Sequence, residues 1–166
     1  MRRNILIFIF FLVINNLLNA QNNSVLSSGD WYKIAVSNNG IYKLDINDLQ
    51  NLGIQTSNLD IGSIKLYGNG GGMLSPLNSI SRHNDLQENA IEVIDLNGNE
   101  TFNNDDYILF YGESPHIWNY DSISNIFNYS EHLYSDENYY FINIDNSSNG
   151  KRIEEKLTFS NFDKTI

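Results

Sequence analysis

The chain of 166 residues contains no cysteine. This absence excludes disulfide bonds as a source of stability, a thiol nucleophile, and lipid attachment to a cysteine after a signal peptide. Basic residues are also scarce, with 10 Lys and Arg against 20 Asp and Glu and a formal net charge of −10. Because such an acidic surface repels phosphate backbones and anionic lipid headgroups, we exclude nucleic acid as a partner.

Several catalytic and ligand-binding motifs are missing as well. There is no Gly-x-Ser-x-Gly motif, and His83, His116 and His132 lie at no zinc-ligand spacing. The glycine-rich residues 68–72 are followed by Pro76 and not by the Lys-Ser/Thr pair of a phosphate-binding loop, so we expect a tight or mobile loop. The sequence thus predicts no catalytic residue within this chain.

The N-terminus has the pattern of a secretory signal peptide. Arg2 and Arg3 precede the apolar residues 5–14, and Ala20 offers a small residue at a cleavage point. The apolar run is too short for a good membrane span, and none follows it, so we expect no transmembrane helix in the mature chain. Removal of residues 1–20 leaves 8 basic and 20 acidic residues, a net charge of −12. We therefore expect an exported protein, located in the periplasm or at the outer membrane or cell surface.

Residues 21–166 have the length of one domain, and their pattern predicts strands. Residues 31–36 and 41–44 alternate apolar and polar side chains around Asn39 and Gly40, which predicts a β-hairpin. Further strands are predicted at residues 64–67, 90–95, 107–111, 117–120, 139–144 and 153–159. Short strands separated by turns favour an all-β fold, a jelly-roll-like antiparallel β-sandwich with one short helix.

The short helix is predicted directly after the second strand. Asp45 can cap its start, Asp48 stands three residues later, and Leu44 and Leu49 can pack across the first turn. Gly53 can end it, which leaves a helix of about two turns.

Residues 95–106 have the oxygen spacing of a calcium-binding loop. Positions one, three, five, seven, nine and twelve of this twelve-residue segment are the candidate ligands, namely Asp95, Asn97, Asn99, Thr101, Asn103 and Asp106. A hard divalent cation takes six to eight oxygens, which alternate residues can supply. Position six is Glu100, where such loops usually carry glycine. The other interpretation is a polar turn that leads into the strand at 107–111.

Exposed aromatic side chains can stack on sugar rings, and the candidates for such contacts are Trp31, Trp118 and Tyr120. Packing in the core is the commoner role of these residue types, and we expect it here.

Several segments in order resemble the N-terminal region of the type IX secretion sortases, which are gingipain-type cysteine peptidases of Bacteroidetes. They are the segments at residues 29–34, 40–44, 65–68, 89–93, 107–112, 134–136 and 139–141, all but one of which contain an aromatic residue. In that family a β-rich N-terminal portion precedes a caspase-like α/β domain that carries the catalytic Cys and His. The resemblance implies a non-catalytic N-terminal domain, a fragment of a longer peptidase that processes and surface-anchors exported proteins.

The resemblance also implies partners, namely type IX components of the outer membrane and the cargo proteins of that system. No catalytic residue carries over, because the chain has no matching Cys motif. The alternative is a free-standing secreted adhesion or binding module, a β-sandwich stabilised by Ca²⁺ in the loop at 95–106.

Overall fold

The computed structural model describes residues 24–155. Within them the fold is mostly antiparallel β-sheet, as predicted for an all-β sandwich, and it contains one α-helix, α1 (Ile46–Asn51). The strands are β1 (Trp31–Val36), β2 (Gly40–Asp45), β3 (Ile64–Tyr67), β4 (Glu88–Asn89), β5 (Glu92–Ile94), β6 (Tyr107–Gly112), β7 (Ile117–Asp121), β8 (Ile126–Ser130) and β9 (Asn138–Ile144).

The strands form two larger sheets and one separate ribbon. One sheet has the order β1-β9-β3-β4, the other has the order β2-β6-β5, and β7 pairs with β8. Every one of these strand pairs is antiparallel. The two sheets bury one face each, which is the arrangement of a sandwich.

The core lies between these two sheets. Ile108 and Phe110 alternate inward along β6, and Tyr140 and Ile142 do the same along β9; all four are at most 2 % exposed. The Phe110 and Tyr140 rings lie 5.5 Å apart and join the two sheets. Burying a side chain of this size contributes about 1.5–3 kcal/mol, so such pairs hold the layers together.

The predicted hairpin of residues 31–44 is wrong. β1 pairs with β9 and β2 pairs with β6, so the chain crosses from one sheet to the other between them. A two-residue type I′ turn needs positive φ at both central residues, and neither Asn39 nor Gly40 has it. Instead, the Asn39 side-chain oxygen accepts the Ser114 N–H at 2.7 Å, which fixes the corner to the end of β6.

Helix α1 begins and ends where its local sequence predicts. The Asp45 side chain accepts the N–H of Asp48, and the Asp48 side chain accepts the N–H of Asp45, forming a capping box. Gly53, with φ of +92°, follows the C-cap, and Leu49 is fully buried in the core. Residues 24–155 contain no helix with the length and hydrophobicity of a membrane span.

The glycine-rich segment 68–72 is tightly packed. The Gly71 N–H donates to the Glu113 carboxylate at 2.6 Å, and the Asn138 amide donates to the Gly70 carbonyl at 2.7 Å. A Cβ on Gly71 would overlap the backbone oxygen of Ser114. Of the two interpretations that the sequence left open, the structure therefore shows the tight loop.

The C-terminal part of the described chain differs from its prediction. Residues 153–155 form no strand, and residues 156–159 lie outside the described residues. The segment contacts the sheets through a parallel bridge between Arg152 and Ile91 and through the Lys151 N–H, which donates to the Glu88 carboxylate at 2.7 Å. The Arg152 guanidinium also donates to the carbonyls of Ile61 and Ile64, so backbone and side-chain hydrogen bonds together hold this segment.

A buried lysine pairs with a partly exposed carboxylate near the start of β3, just beyond the end of β9. The Lys65 side chain is 5 % exposed, and its Nζ donates to the Asp145 carboxylate at 2.7 Å and to the Ser148 hydroxyl. Asp145 also accepts the backbone N–H and the hydroxyl of Ser147. These contacts, the Lys65 hydrogen bond first among them, lower the pKa of Asp145 from 3.8 to about 2.

This lowered pKa predicts a specific loss of stability in acid. A carboxyl group whose pKa is depressed in the folded state stabilises that state above pH 3.8, and its contribution is lost as the pH falls toward about 2. We expect the Tm to fall through this interval, and to fall less steeply in Asp145→Asn. Thermal unfolding followed by circular dichroism at closely spaced pH values measures both slopes. Equal slopes in the two proteins would contradict the assignment.

Candidate functional site

The loop at residues 95–106 is the candidate site, and a buried carboxylate closes its base. Asp106 is fully buried. One of its oxygens accepts the Leu96 N–H at 3.0 Å, and the other accepts the Asn103 N–H at 2.8 Å. A single side chain thus ties together the two ends of the loop, and through Asp106 the loop is anchored to the start of β6.

Asp95 organises the first half of the loop. Its two oxygens accept the N–H groups of Gly98 and Glu100, each at 2.8 Å. These hydrogen bonds, the one from Glu100 most of all, lower the pKa of the Asp95 carboxyl group. Asp95 is therefore held as a carboxylate, the form that would bind a cation.

The remaining predicted ligands form successive Asx turns. The side-chain oxygens of Asn97, Asn99 and Asn103 each accept the N–H two residues further on, at 3.0, 2.9 and 3.2 Å. Thr101 pairs with Asp60 in an isolated bridge, and its carbonyl accepts the Asn103 amide at 3.3 Å. Turn formation thus accounts for these asparagines without an ion.

All six predicted residues therefore lie in one loop, and the side-chain oxygens of the five other than Thr101 accept N–H groups of the loop's own backbone. A carbonyl or carboxylate oxygen that accepts one N–H keeps a second lone pair, so these contacts leave acceptor capacity. Within residues 24–155, no group of three or more His, Cys, Asp or Glu side chains is placed to hold a metal ion. Calcium binding by amide, carbonyl and two carboxylate oxygens stays a prediction.

Glu100 occupies the position at which calcium loops usually carry glycine, and it has the backbone conformation that glycine would adopt. Its φ is +60°, and its carbonyl accepts the Ile61 N–H at 3.2 Å. The sharp turn is therefore made at position six without a glycine. The strained residue is exposed, so nothing in the packing requires its side chain.

Replacing Glu100 by glycine should stabilise the protein. Relief of the left-handed strain outweighs the greater freedom of glycine in the unfolded chain, which gives a net gain of about 0.5 kcal/mol in the free energy of unfolding. Urea denaturation measures this difference. Glu100→Ala is the control, because it removes the charge but keeps the Cβ. An equal gain in both variants would attribute the effect to the charge and not to the backbone.

Two of the three histidines, His116 and His132, are in contact with each other. The His132 backbone N–H donates to His116 Nδ1 at 3.0 Å, and His116 Nε2 lies 3.5 Å from the exposed Asp136 carboxylate. The neighbouring Ser135 hydroxyl donates to the Glu137 carbonyl and not to an imidazole. This contact between His116 and His132 depends on the turn at the end of β8, and no sequence spacing indicates it.

Two of the aromatic residues named in the sequence lie where we did not expect them. Trp118 and Tyr120 on β7 are 65 % and 53 % exposed, so the core role predicted for them is wrong. Trp31 is half-buried, and its ring contacts the edge of Tyr67 at a centroid distance of 5.0 Å. β8, which pairs with β7 and carries Phe127 and Tyr129, was not predicted at all.

The described residues form an all-β sandwich domain, and its acidic loop at 95–106 is held by hydrogen bonds from its own backbone to Asp95 and Asp106. No model of a protein family matches the chain, and a search of curated proteins also found no match. Among solved structures, the chain is similar to dimeric latent PorU from Porphyromonas gingivalis, with 28 % sequence identity and a TM-score of 0.53. The match covers 72 % of this chain and 10 % of the PorU chain. The similarity shows a related fold, and the chain spans about a tenth of that protein's length.

Proposed function

We propose that residues 21–166 form the non-catalytic N-terminal domain of a type IX secretion sortase-like cysteine peptidase. The observation that carries this proposal is the similarity to PorU, at 28 % identity over 72 % of the chain. The ordered aromatic segments found in the sequence agree with it, and β2, β3, β6 and β9 of the sandwich contain several of them. The chain has no cysteine, so the peptidase chemistry would belong to another part of the polypeptide.

In this role the domain would act outside the cytoplasm, at the outer membrane or cell surface or in the periplasm. Its partners would be outer-membrane components of the type IX system and the cargo that the peptidase processes. The acidic surface supports docking to a basic partner protein rather than to a nucleic acid.

Two experiments test the proposal. The reading frame beyond the codon of Ile166 should encode an α/β region with a Cys and a His, and a stop codon there would contradict the proposal.

In the source organism, in-frame deletion of codons 24–155 should leave type IX cargo with its C-terminal sorting signal uncleaved. Normal cargo processing and anchoring in that deletion strain, with the peptidase region still expressed, would exclude a required role for the domain.

The second candidate function is a secreted adhesion or binding module stabilised by calcium. It is supported by the loop geometry, which holds Asp95 ionised and ties the six oxygen-bearing residues into one turn. An ion that binds only the folded state at a hundredfold excess over its Kd should add about 2.7 kcal/mol to the free energy of unfolding. Thermal unfolding with Ca²⁺, with Mg²⁺ and with chelator measures this shift, and Asp95→Ala should abolish it. An unchanged Tm in all three conditions would leave the loop as a polar turn.

A further inference from the structure

The β7–β8 hairpin lies outside both sheets of the sandwich. Its two strands pair with each other from Ile117↔Ser130 to Asp121↔Ile126, and among the described residues neither strand joins the larger sheets. A two-stranded ribbon that is not covered by a third strand or a helix has little intrinsic stability in water. A large apolar surface on such a ribbon therefore needs an explanation other than core packing.

One face of the hairpin is made of four aromatic rings. The register pairs Trp118 with Tyr129 and Tyr120 with Phe127, and the ring centroids of these pairs lie 4.9 and 5.0 Å apart. All four side chains are more than half exposed. We call this surface, formed by Trp118, Tyr120, Phe127 and Tyr129, the aromatic face.

The charged residues of the hairpin and of its flanking segments are all acidic. Between Arg82 and Lys151 the sequence contains thirteen Asp and Glu residues and no Lys or Arg. Asp121 ends β7 at the turn, Glu131 follows β8, and Asp136 lies at the base of the hairpin beside His116. An aromatic surface bordered by carboxylates complements a cation, because the ring faces and the acids both attract positive charge.

The same chain already uses such contacts internally. The Lys33 ammonium lies 3.4 Å from the centroid of the Tyr139 ring, and the Lys43 ammonium lies 4.4 Å from that of Tyr107. Both lysines belong to the strands of the sandwich; at the hairpin itself, the His116 ring lies 6.1 Å from that of Tyr129, and residues 117–130 contain no Lys or Arg. A second copy of this chain would bring further negative charge to the same place, which disfavours self-association.

We propose that the aromatic face binds an arginine-bearing segment of a partner protein. Arginine fits better than lysine, because its planar guanidinium stacks on a ring while its N–H groups remain free to donate to a carboxylate. Glu131 and Asp136 supply carboxylates at the base of the hairpin, and Asp121, whose Oδ1 accepts the N–H groups of Ile123 and Ser124, adds negative charge at its turn. This inference rests on the hairpin alone and holds whichever of the two candidate functions is correct.

Fluorescence anisotropy with three labelled peptides of equal length tests the proposal. The peptides alternate glycine with arginine, with lysine or with glutamate, and each is titrated with the whole chain at low and at physiological ionic strength. We expect the arginine peptide to bind most tightly, the lysine peptide more weakly and the glutamate peptide not at all. The double variant Trp118→Ala with Phe127→Ala should weaken binding of the arginine peptide about tenfold.

The matched control is Leu26→Ala with Ile41→Ala, which removes two exposed apolar side chains that do not belong to the hairpin and should leave binding unchanged. Trp31, retained in every variant, reports whether the sandwich is folded. If the first double variant does not fold, Tyr120→Ala with Tyr129→Ala replaces it and should show the same loss.

Three results would overturn the proposal. Equal binding of the arginine and lysine peptides, unaffected by the double variant, would show attraction by bulk charge alone. Binding of a neutral oligosaccharide without binding of the arginine peptide would assign the face to sugars. Concentration-dependent dimerisation that the double variant abolishes, again without peptide binding, would assign it to a second copy of the chain.

Discussion

Asp106→Ala should lower the free energy of unfolding by about 3 kcal/mol, because this fully buried carboxylate accepts a backbone N–H at each of its two oxygens. Alanine cannot replace either hydrogen bond, so the N–H groups of Leu96 and Asn103 would lose their partner. The loop at 95–106 would then open at its base, next to the first residue of β6. Urea denaturation followed by far-UV circular dichroism measures the difference.

Asp105→Ala is the matched control for this variant. It removes the same charge from the adjacent position, but the Asp105 side chain is exposed, and only its backbone N–H is engaged, with Asn103. We expect a change within about 0.5 kcal/mol for this control. Equal losses in the two variants would show that the negative charge, and not the two hydrogen bonds accepted by Asp106, determines the stability of the loop.

Gly71→Ala should lower the free energy of unfolding by about 3 kcal/mol, since the added Cβ would overlap a backbone atom and not a movable side chain. To make room, the glycine-rich loop must leave the Ser114 carbonyl, which accepts the Gly72 N–H at 3.3 Å. The contact between the Gly71 N–H and Glu113 would be lost at the same time. Thermal and urea unfolding measure the cost, and a change in Trp118 fluorescence would report movement of the adjacent hairpin.

Gly40→Ala provides the control for backbone freedom. No atom lies within 4 Å of a Cβ built on Gly40, and its φ is not positive. We expect this variant to be neutral or to gain up to about 1 kcal/mol, because alanine restricts the unfolded chain. If Gly71→Ala were equally harmless, segment 68–72 would have to be mobile and not packed as described.

The parts of the fold that depend on neighbouring residues were predictable from the sequence. Helix α1 needs only Asp45, Asp48 and Gly53 to set its ends, and all three lie within eight residues of one another. The strand positions at 64–67 and 107–111 follow from apolar and aromatic runs bounded by turn residues. These signals are local, and the structure confirms them.

Strand pairing was not predictable in the same way. An Asn-Gly dipeptide between two alternating runs favours a hairpin, yet β1 and β2 find partners more than sixty residues away. The free energy that decides between these pairings comes from burying Val36 and its neighbours between two sheets, which no local pattern reports. β8 was missed for a related reason: all its residues are exposed, so it has no buried face to mark it.

The sequence predicted which residues form the candidate site, but it did not decide whether their oxygens bind an ion or form turns. Oxygen-bearing side chains at alternate positions satisfy two different demands, since Asx turns and cation ligands both need them. The structure shows the first use at Asn97, Asn99 and Asn103. The spacing alone could not separate the two uses, because both place oxygens on the inside of the same loop.

The pairing of β1 with β9 affects how the polypeptide acquires its structure. Trp31 lies opposite Asn143, so β1 cannot form its strand pair until β9 has been synthesised about 110 residues later. Closing so long a segment is entropically costly and makes late, slow assembly the expected route. β3 also pairs with β9, so the four-stranded sheet cannot assemble until the last described strand has been synthesised, whereas the β2-β6-β5 sheet can form before it.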